Sequence, residues 1–476
     1  MINLIKNELK KIFSKKALYV VLFVTIGLCI TINIMDKKNE HKSSRYNEQE
    51  AEMYQMQLNA AKEAGDKDFE RACQSYTEAR GMAYKYGSDS WQVYVIANKL
   101  EQVINDMLRT EGTEGYNVYK EEYDRIVSCL ESDNWRVFAE EELEDVNSQL
   151  EFAIDEETKE SLKDQKQVLE WRLEKNIPYG NNDINSYLNA WTTAKSDIRQ
   201  MKTQNISRYE NRQRLEEVEA TIAICEYAIN NNINENVTKA GDSMLQWELS
   251  SNAQITLLGV FSDYSFFIIL AIVIIAGTIV SEEFNKGTIK LLLVRPYSRV
   301  KILLAKFITC LIVLLISLIS VAIIQTIVGG IIFGFESYGN EIVMYNYTNS
   351  SIEIVSTLQY LSIAALSILP EYLLLMTLAF TISTALTNTP MAIAVPLLGI
   401  IGAEMINGLV LNIYRKAEIA LYFVTPHWDL SMYAFGKLPT YEGVTLGFSI
   451  SICVIYFAIL LGISILTFKN RDIKNI

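Results

Sequence analysis

Residues 265–280, "SFFIILAIVIIAGTIV", carry no charge and run directly into residues 281–301, "SEEFNKGTIKLLLVRPYSRVK". The first piece, with the residues just before it, reaches the roughly 20 apolar residues that a helix needs to cross a hydrocarbon core. The second cannot cross. With Lys306 just beyond it, it holds six lysines and arginines, and its Leu-Leu-Leu-Val centre is too short to span. An amphipathic, proline-stopped insert between two spans therefore fixes where the chain turns at the membrane.

Charge-poor windows of spanning length fall at about 17–35, 260–280, 307–335, 358–387, 391–413 and 444–468. Inside lipid each must be helical, because only a helix satisfies every backbone N–H and C=O within one segment. Half of the 476 residues are hydrophobic while 21% are charged, which suggests a polar block and an apolar block in series. The first window is uncharged from Ala17 to Met35 and is followed by Asp36, Lys37 and Lys38. It has no small-x-small cleavage site and reads as a retained span, not a signal peptide. The expected fold is an all-α polytopic membrane protein. It has six transmembrane helices and a large helical, hairpin- or coiled-coil-like, extracellular domain between the first and second spans.

Charge orients the spans. Lys6, Lys10, Lys11, Lys15 and Lys16 stand against one Glu8 before the first window. The 281–301 stretch and the tail, with Lys469, Arg471 and Lys474, are also basic. Six spans place these three clusters on one side, which the positive-inside rule makes cytoplasmic, together with both termini. Residues 36–259, with 26 basic and 43 acidic side chains, then face outward from the cell membrane. The resulting map is a cytoplasmic amphipathic helix at 1–16, a first span at 17–35, an extracellular helical domain at 36–259 and a five-helix region at 260–476. Within that last region lie the cytoplasmic loop 281–301 and outer loops 336–357 and 414–443.

The 36–259 block contains a single proline, Pro178, and is rich in helix formers. Leu143, Val146, Leu150, Ile154, Leu162, Leu169 and Leu173 recur at helical spacing, and Pro178 and Gly180 break the pattern. Tyr187, Leu188, Trp191, Ile198 and Met201 then mark the buried face of a second helix over about 184–230, which implies an antiparallel hairpin. Trp91, Trp135, Trp171, Trp191 and Trp247 read as packing residues.

Catalytic signatures are missing. No G-x-x-x-x-G-K-[ST] phosphate loop, G-x-S-x-G, H-E-x-x-H or C-x-x-C occurs, and the only histidines are His41 and His427. The chain is expected to be non-enzymatic, to bind no cofactor or metal and to take no nucleic acid. Three carboxylates stand at membrane depth: Glu404, Glu371 and, near the outer end of the second span, Asp263. A carboxylate in lipid is costly, so Glu404 and Glu371 are candidates to line a pathway or a subunit interface, or are hydrogen-bonded structural residues.

The 281–306 segment resembles the first cytoplasmic loop of ABC-2-type permeases, the membrane subunits of ATP-driven exporters. The likeness rests on Glu282 and Glu283, Gly287 and Thr288, Leu291, Leu292 and Leu293, then Arg295, Pro296, Ser298, Arg299 and the following Lys306. The amphipathic start, with Ile2, Ile5, Leu9, Ile12 and Phe13 on one face, and the closing "FKNRDI" are similar to the ends of that family. The likeness covers both ends and residues 260–476.

The resemblance implies a helix at about 281–294 that docks on a separate ATPase subunit and ends at Pro296. It also implies two ATPase copies carrying ATP and magnesium, and a second membrane subunit, identical or homologous, embedded with this one in membrane lipid. The exported substrate would be amphiphilic: a peptide, an antibiotic or a lipid. The alternative is a membrane sensor, scaffold or mechanotransmitting ABC subunit whose outer domain binds a ligand or an envelope partner.

Overall fold

The computed structural model describes residues 1–40, 46, 48–87, 90–202, 209–289, 297–414, 418–437, 439 and 441–471. They form two compact units, Met1–Met35 with Asn252–Ile476, and Asp36–Ser251.

The first unit is built on the apolar windows. Its long helices are Lys16–Glu40, Ser265–Thr278, Arg299–Phe333, Thr357–Ala385 and Leu446–Asn470. Among the described residues, five helices are long and apolar enough to cross a membrane. A sixth span is reached by joining Thr389–Ile401 to Met405–Leu411, two pieces that meet at 56°. The 391–413 window is thus a broken helix, not a straight one. Gly402 marks the break, and Pro396 within the preceding helix has no N–H to donate to the ladder. The chain is a multi-pass helical membrane protein.

The core of this unit wraps the Ser265–Thr278 helix, whose Ile268, Ile272, Val273 and Ala276 are buried. A Cβ on Gly277 would stand 3.2 Å from the Ala392 carbonyl carbon, so glycine is what lets the Thr389–Ile401 helix approach there. Two of the described elements are strands. Strands β1 (Ile342–Asn346) and β2 (Ser351–Val355) pair antiparallel, with Ile342 opposite Val355 and Asn346 opposite Ser351. Isoleucine, valine and tyrosine favour the extended backbone. Asn346 Oδ1 closes the turn by accepting from the N–H groups of Thr348 (2.9 Å) and Asn349 (3.2 Å). Ile342, Met344 and Val355 pack with Ile255 and Leu258 of the short Ala253–Leu258 helix.

The second unit is helical, with its own core around Tyr76, Ile96, Leu100 and Phe138. The expected long helices are subdivided. Arg136–Phe152 and Glu156–Lys175 pack side by side, because Asp155 starts a new helix by accepting from Thr158 N–H at 2.7 Å. Asp183–Lys202 and Tyr209–Asn230 form a second pair. Asn176, in the left-handed conformation at φ 56°, ends the Glu156–Lys175 helix before Pro178. Tyr187, Leu188, Trp191 and Met201 are buried as the spacing predicts. Ile154, at the tip between two helices, is 94% exposed, and Trp247 is 89% exposed, so neither packs in a core.

Candidate functional site

The amphipathic leading helix, Ile2–Phe13, buries Leu4, Glu8 and Ile12, one turn apart along one stripe. The expected apolar face is rotated: Ile2 and Phe13 are exposed, and an acid occupies the centre of the buried stripe. Glu8 is 7% exposed. A buried carboxylate needs charge and hydrogen-bond partners, and two lysines supply them.

Lys306 Nζ lies 3.0 Å from Glu8 Oε2, 2.9 Å from Glu283 Oε1 and 3.0 Å from the carbonyl of Ile279. Lys306 is 1% exposed; it donates hydrogen bonds to Glu8 and to the Ile279 carbonyl and forms an ion pair with Glu283. The Ile279 carbonyl caps the Ser265–Thr278 helix, where the dipole favours a cation. Lys11 Nζ reaches Glu8 Oε1 at 3.2 Å and Glu283 Oε1 at 3.0 Å. Glu8, Lys306, Glu283 and Lys11 therefore close a neutral ring of alternating charge. It joins the leading helix, the loop after the second span and the base of the Arg299–Phe333 helix.

Burial alone pushes the Glu8 carboxyl up, but Lys306 and Lys11 beside it more than offset this and hold it below the usual value. Burial likewise draws the Lys11 ammonium down, and Glu283 and Glu8 more than offset that, lifting it above an ordinary lysine. A second chain of charge flanks the ring. Lys15 Nζ donates to Thr278 Oγ1 at 2.7 Å and to Glu282 Oε1 at 3.1 Å, and Lys286 reaches Glu282 Oε2 at 3.3 Å. Above both lies an open cleft of about 370 Å³.

The residues marked by sequence divide as follows. Glu282 and Glu283 sit in the short helix Ser281–Asn285, and Glu283 is only 8% exposed. The single helix expected over 281–294 does not form, because Gly287 takes φ +68°, a left-handed turn that stops it. Thr288 Oγ1 donates back to the Glu283 carbonyl at 3.4 Å. Leu291, Leu292, Leu293, Arg295 and Pro296 lie outside the described residues, as does the side chain of Glu404.

Arg299 turns inward, donating to the carbonyls of Lys469 (3.2 Å) and Arg471 (2.8 Å) at the end of the last long helix. Arg471 in turn caps the Thr357–Ala385 helix through the carbonyls of Thr384 (3.0 Å) and Ala385 (3.2 Å), and lies 4.8 Å above the Phe284 ring. Glu371 is half-buried one residue past Pro370 and takes no part in the ring.

Sequence reasoning missed Glu8. Its only signal was position: one acid among five lysines, four residues from both Leu4 and Ile12.

Residues 222–474 match the family described as "Protein of unknown function (DUF2705)". Two relatives come from Bacillus subtilis (strain 168). The "Uncharacterized protein YhcI" is 31% identical over 237 residues, covering 49% of this chain and 74% of that protein. The "Uncharacterized membrane protein YdbK" is 27% identical over 202 residues, covering 42% of this chain and 76% of its own length. No solved structure matches. Glu283 and Lys306 of the ring fall inside the matched region, Glu8 and Lys11 before it, and with over half of its length matched the chain belongs to the DUF2705 family.

Proposed function

We propose that this chain is the membrane subunit of an ABC-2-type exporter, in which a separate ATPase subunit drives movement of an amphiphilic substrate. Two ATPase copies and a second membrane subunit would complete the assembly, with both termini and the 281–301 loop in the cytoplasm and residues 36–259 outside. The loop pattern supports this reading. The observation that carries it is the charge ring, because a loop that only set topology would need basic residues but no buried ties. Through Glu283, a push on the Ser281–Thr288 segment reaches Lys306 at the base of one span and Glu8 on the helix leading into another. Hydrolysis belongs to the partner; this chain supplies the path and the linkage.

The test is co-expression and co-purification with a candidate ABC ATPase subunit. Replacing Leu291–Leu293 by serine is expected to abolish complex formation. Glu283→Gln is expected to leave the complex intact but lower its transport-coupled ATP turnover. Unchanged binding and turnover in both variants sink the proposal. The sensor or mechanotransmitter reading draws its support from the separate helical unit, with 26 basic and 43 acidic residues over 36–259. It is favoured if substrate movement is absent while ATPase coupling persists.

A further inference from the structure

The charged cleft does not end at the ring. Ile12 and Lys15 line both the cleft and a narrow neck beside it, and Leu18, Val21 and Ala271 line both the neck and an apolar slot beyond. The slot holds about 170 Å³ between the Lys16–Glu40 helix and the Ser265–Thr278 and Arg299–Phe333 helices. Its far wall includes Val313, Ile316 and Ser317. A polar mouth therefore lies next to an apolar slot that opens at the surface of the helix bundle, where Phe13, Leu22 and Ile316 are exposed.

Charge is sorted by depth in the mouth. Glu8 and Glu283 are buried at its floor, Glu282 stands half-buried between Lys15 and Lys286 and pairs with both, and Lys11 and Lys286 are exposed at its rim. Lys6, Lys10 and Lys16 are exposed on the same stretch of chain. A visitor at the mouth meets ammonium groups first, and one that fills the slot meets almost only carbon. The slot lies along helices of membrane-spanning length, so acyl chains are the medium around it.

We propose that this groove is a binding site for an anionic phospholipid. Its phosphate would lie against Lys15, Lys286 and Lys11, and one acyl chain would lie along the open slot beside Leu18 and Val21. Three carboxylates balance the three lysines of the mouth, but the acids lie deeper and the exposed Lys6, Lys10 and Lys16 add positive charge beside it, which suits an anionic headgroup; neither the charge nor the apolar slot alone would select one lipid class. The site stands independently of the exporter reading, since it requires only that these helices sit in a membrane.

The test is native mass spectrometry of the full chain, purified in detergent and titrated with phosphatidylglycerol or with phosphatidylcholine of the same acyl chains. Wild type is expected to retain phosphatidylglycerol preferentially. Lys15→Gln with Lys286→Gln is expected to weaken phosphatidylglycerol binding by roughly fivefold for each lysine removed and to leave phosphatidylcholine unchanged. Ser317→Phe, on a half-buried wall residue, is expected to displace the bound lipid while elution volume and melting temperature stay at wild-type values. If that variant fails to fold, Ser320→Phe on the same wall carries the test. Equal retention of the two lipids by wild type overturns the proposal, as does undiminished phosphatidylglycerol binding in a folded slot-filled variant.

Discussion

Glu8 and Lys306, 298 positions apart, meet at 3.0 Å with both side chains withdrawn from solvent. Breaking a buried pair on one side only is costly, because the remaining charge stays buried. Lys306→Met leaves Glu8 and Glu283 sharing Lys11 alone and is expected to cost about 3–5 kcal/mol. Adding Glu8→Gln removes one excess carboxylate and is expected to return part of that loss. Melting temperatures of the single and double variants in detergent check it. A double variant destabilised by the sum of the two single losses would show that the two residues do not act together.

The same ring sets a pH window. Glu8 is held below the ordinary 4.5, so its contribution is present above 4.5 and is lost as pH falls through its folded value. Lys11 is raised above 10.5, so its contribution is full below 10.5 and is lost as pH rises through its folded value. The ring's contribution is expected to be level between these limits and to fall on both sides. Glu8→Gln should blunt the acid limb of a melting-temperature profile and spare the alkaline limb.

Towards the other end of the first long helix, Asn33 and Gln325 exchange amide hydrogen bonds of 3.1 and 3.0 Å, and Tyr264 donates to Gln325 at 3.2 Å. Asn33→Leu or Gln325→Leu strands a buried amide and is expected to cost about 1–2 kcal/mol, the range found for polar pairs between membrane helices. The double variant should be less destabilised than the two singles summed. A double-mutant cycle on thermal stability measures the difference.

Gly287 has no atom near the site of a missing Cβ, so only its backbone conformation resists substitution. Gly287→Val is expected to cost about 1–2 kcal/mol through the left-handed φ, and Gly287→Asn much less. If the exporter reading holds, the valine variant should also lower ATPase stimulation. A valine variant as stable as the asparagine one would remove the turn from the account.

The parts of this fold that were legible in sequence are those where a single segment answers to its solvent. Hydrocarbon tolerates only continuous apolar helices, so the windows could be read one at a time. The misses are interactions between segments. Glu8 looked like a stray acid because its partner lies 298 residues away. Arg299 is legible as a basic residue of the loop, but nothing local announces that it donates to the carbonyl of Lys469 in the helix ending at Asn470. The subdivision at Asp155 was legible in principle, since Asp155 precedes an acidic first turn at Glu156 and Glu157. The continuous leucine spacing outweighed that cap. The β1–β2 strands are five residues each, too short for a pattern to register against the helices around them.

The closure of the ring also orders biosynthesis. Glu8 and Lys11 leave the ribosome first and can satisfy each other at once, three residues apart on one helix. Lys306 follows 298 residues later, which at about 5–20 residues per second is roughly 15–60 s. During that interval the leading helix holds an acid whose second partner has not yet been made. The leading helix can take its final seat only after the third long helix has begun to emerge. A nascent chain stalled before Lys306 is therefore expected to expose the Glu8 stripe to proteolysis, and one released after it to protect that stripe.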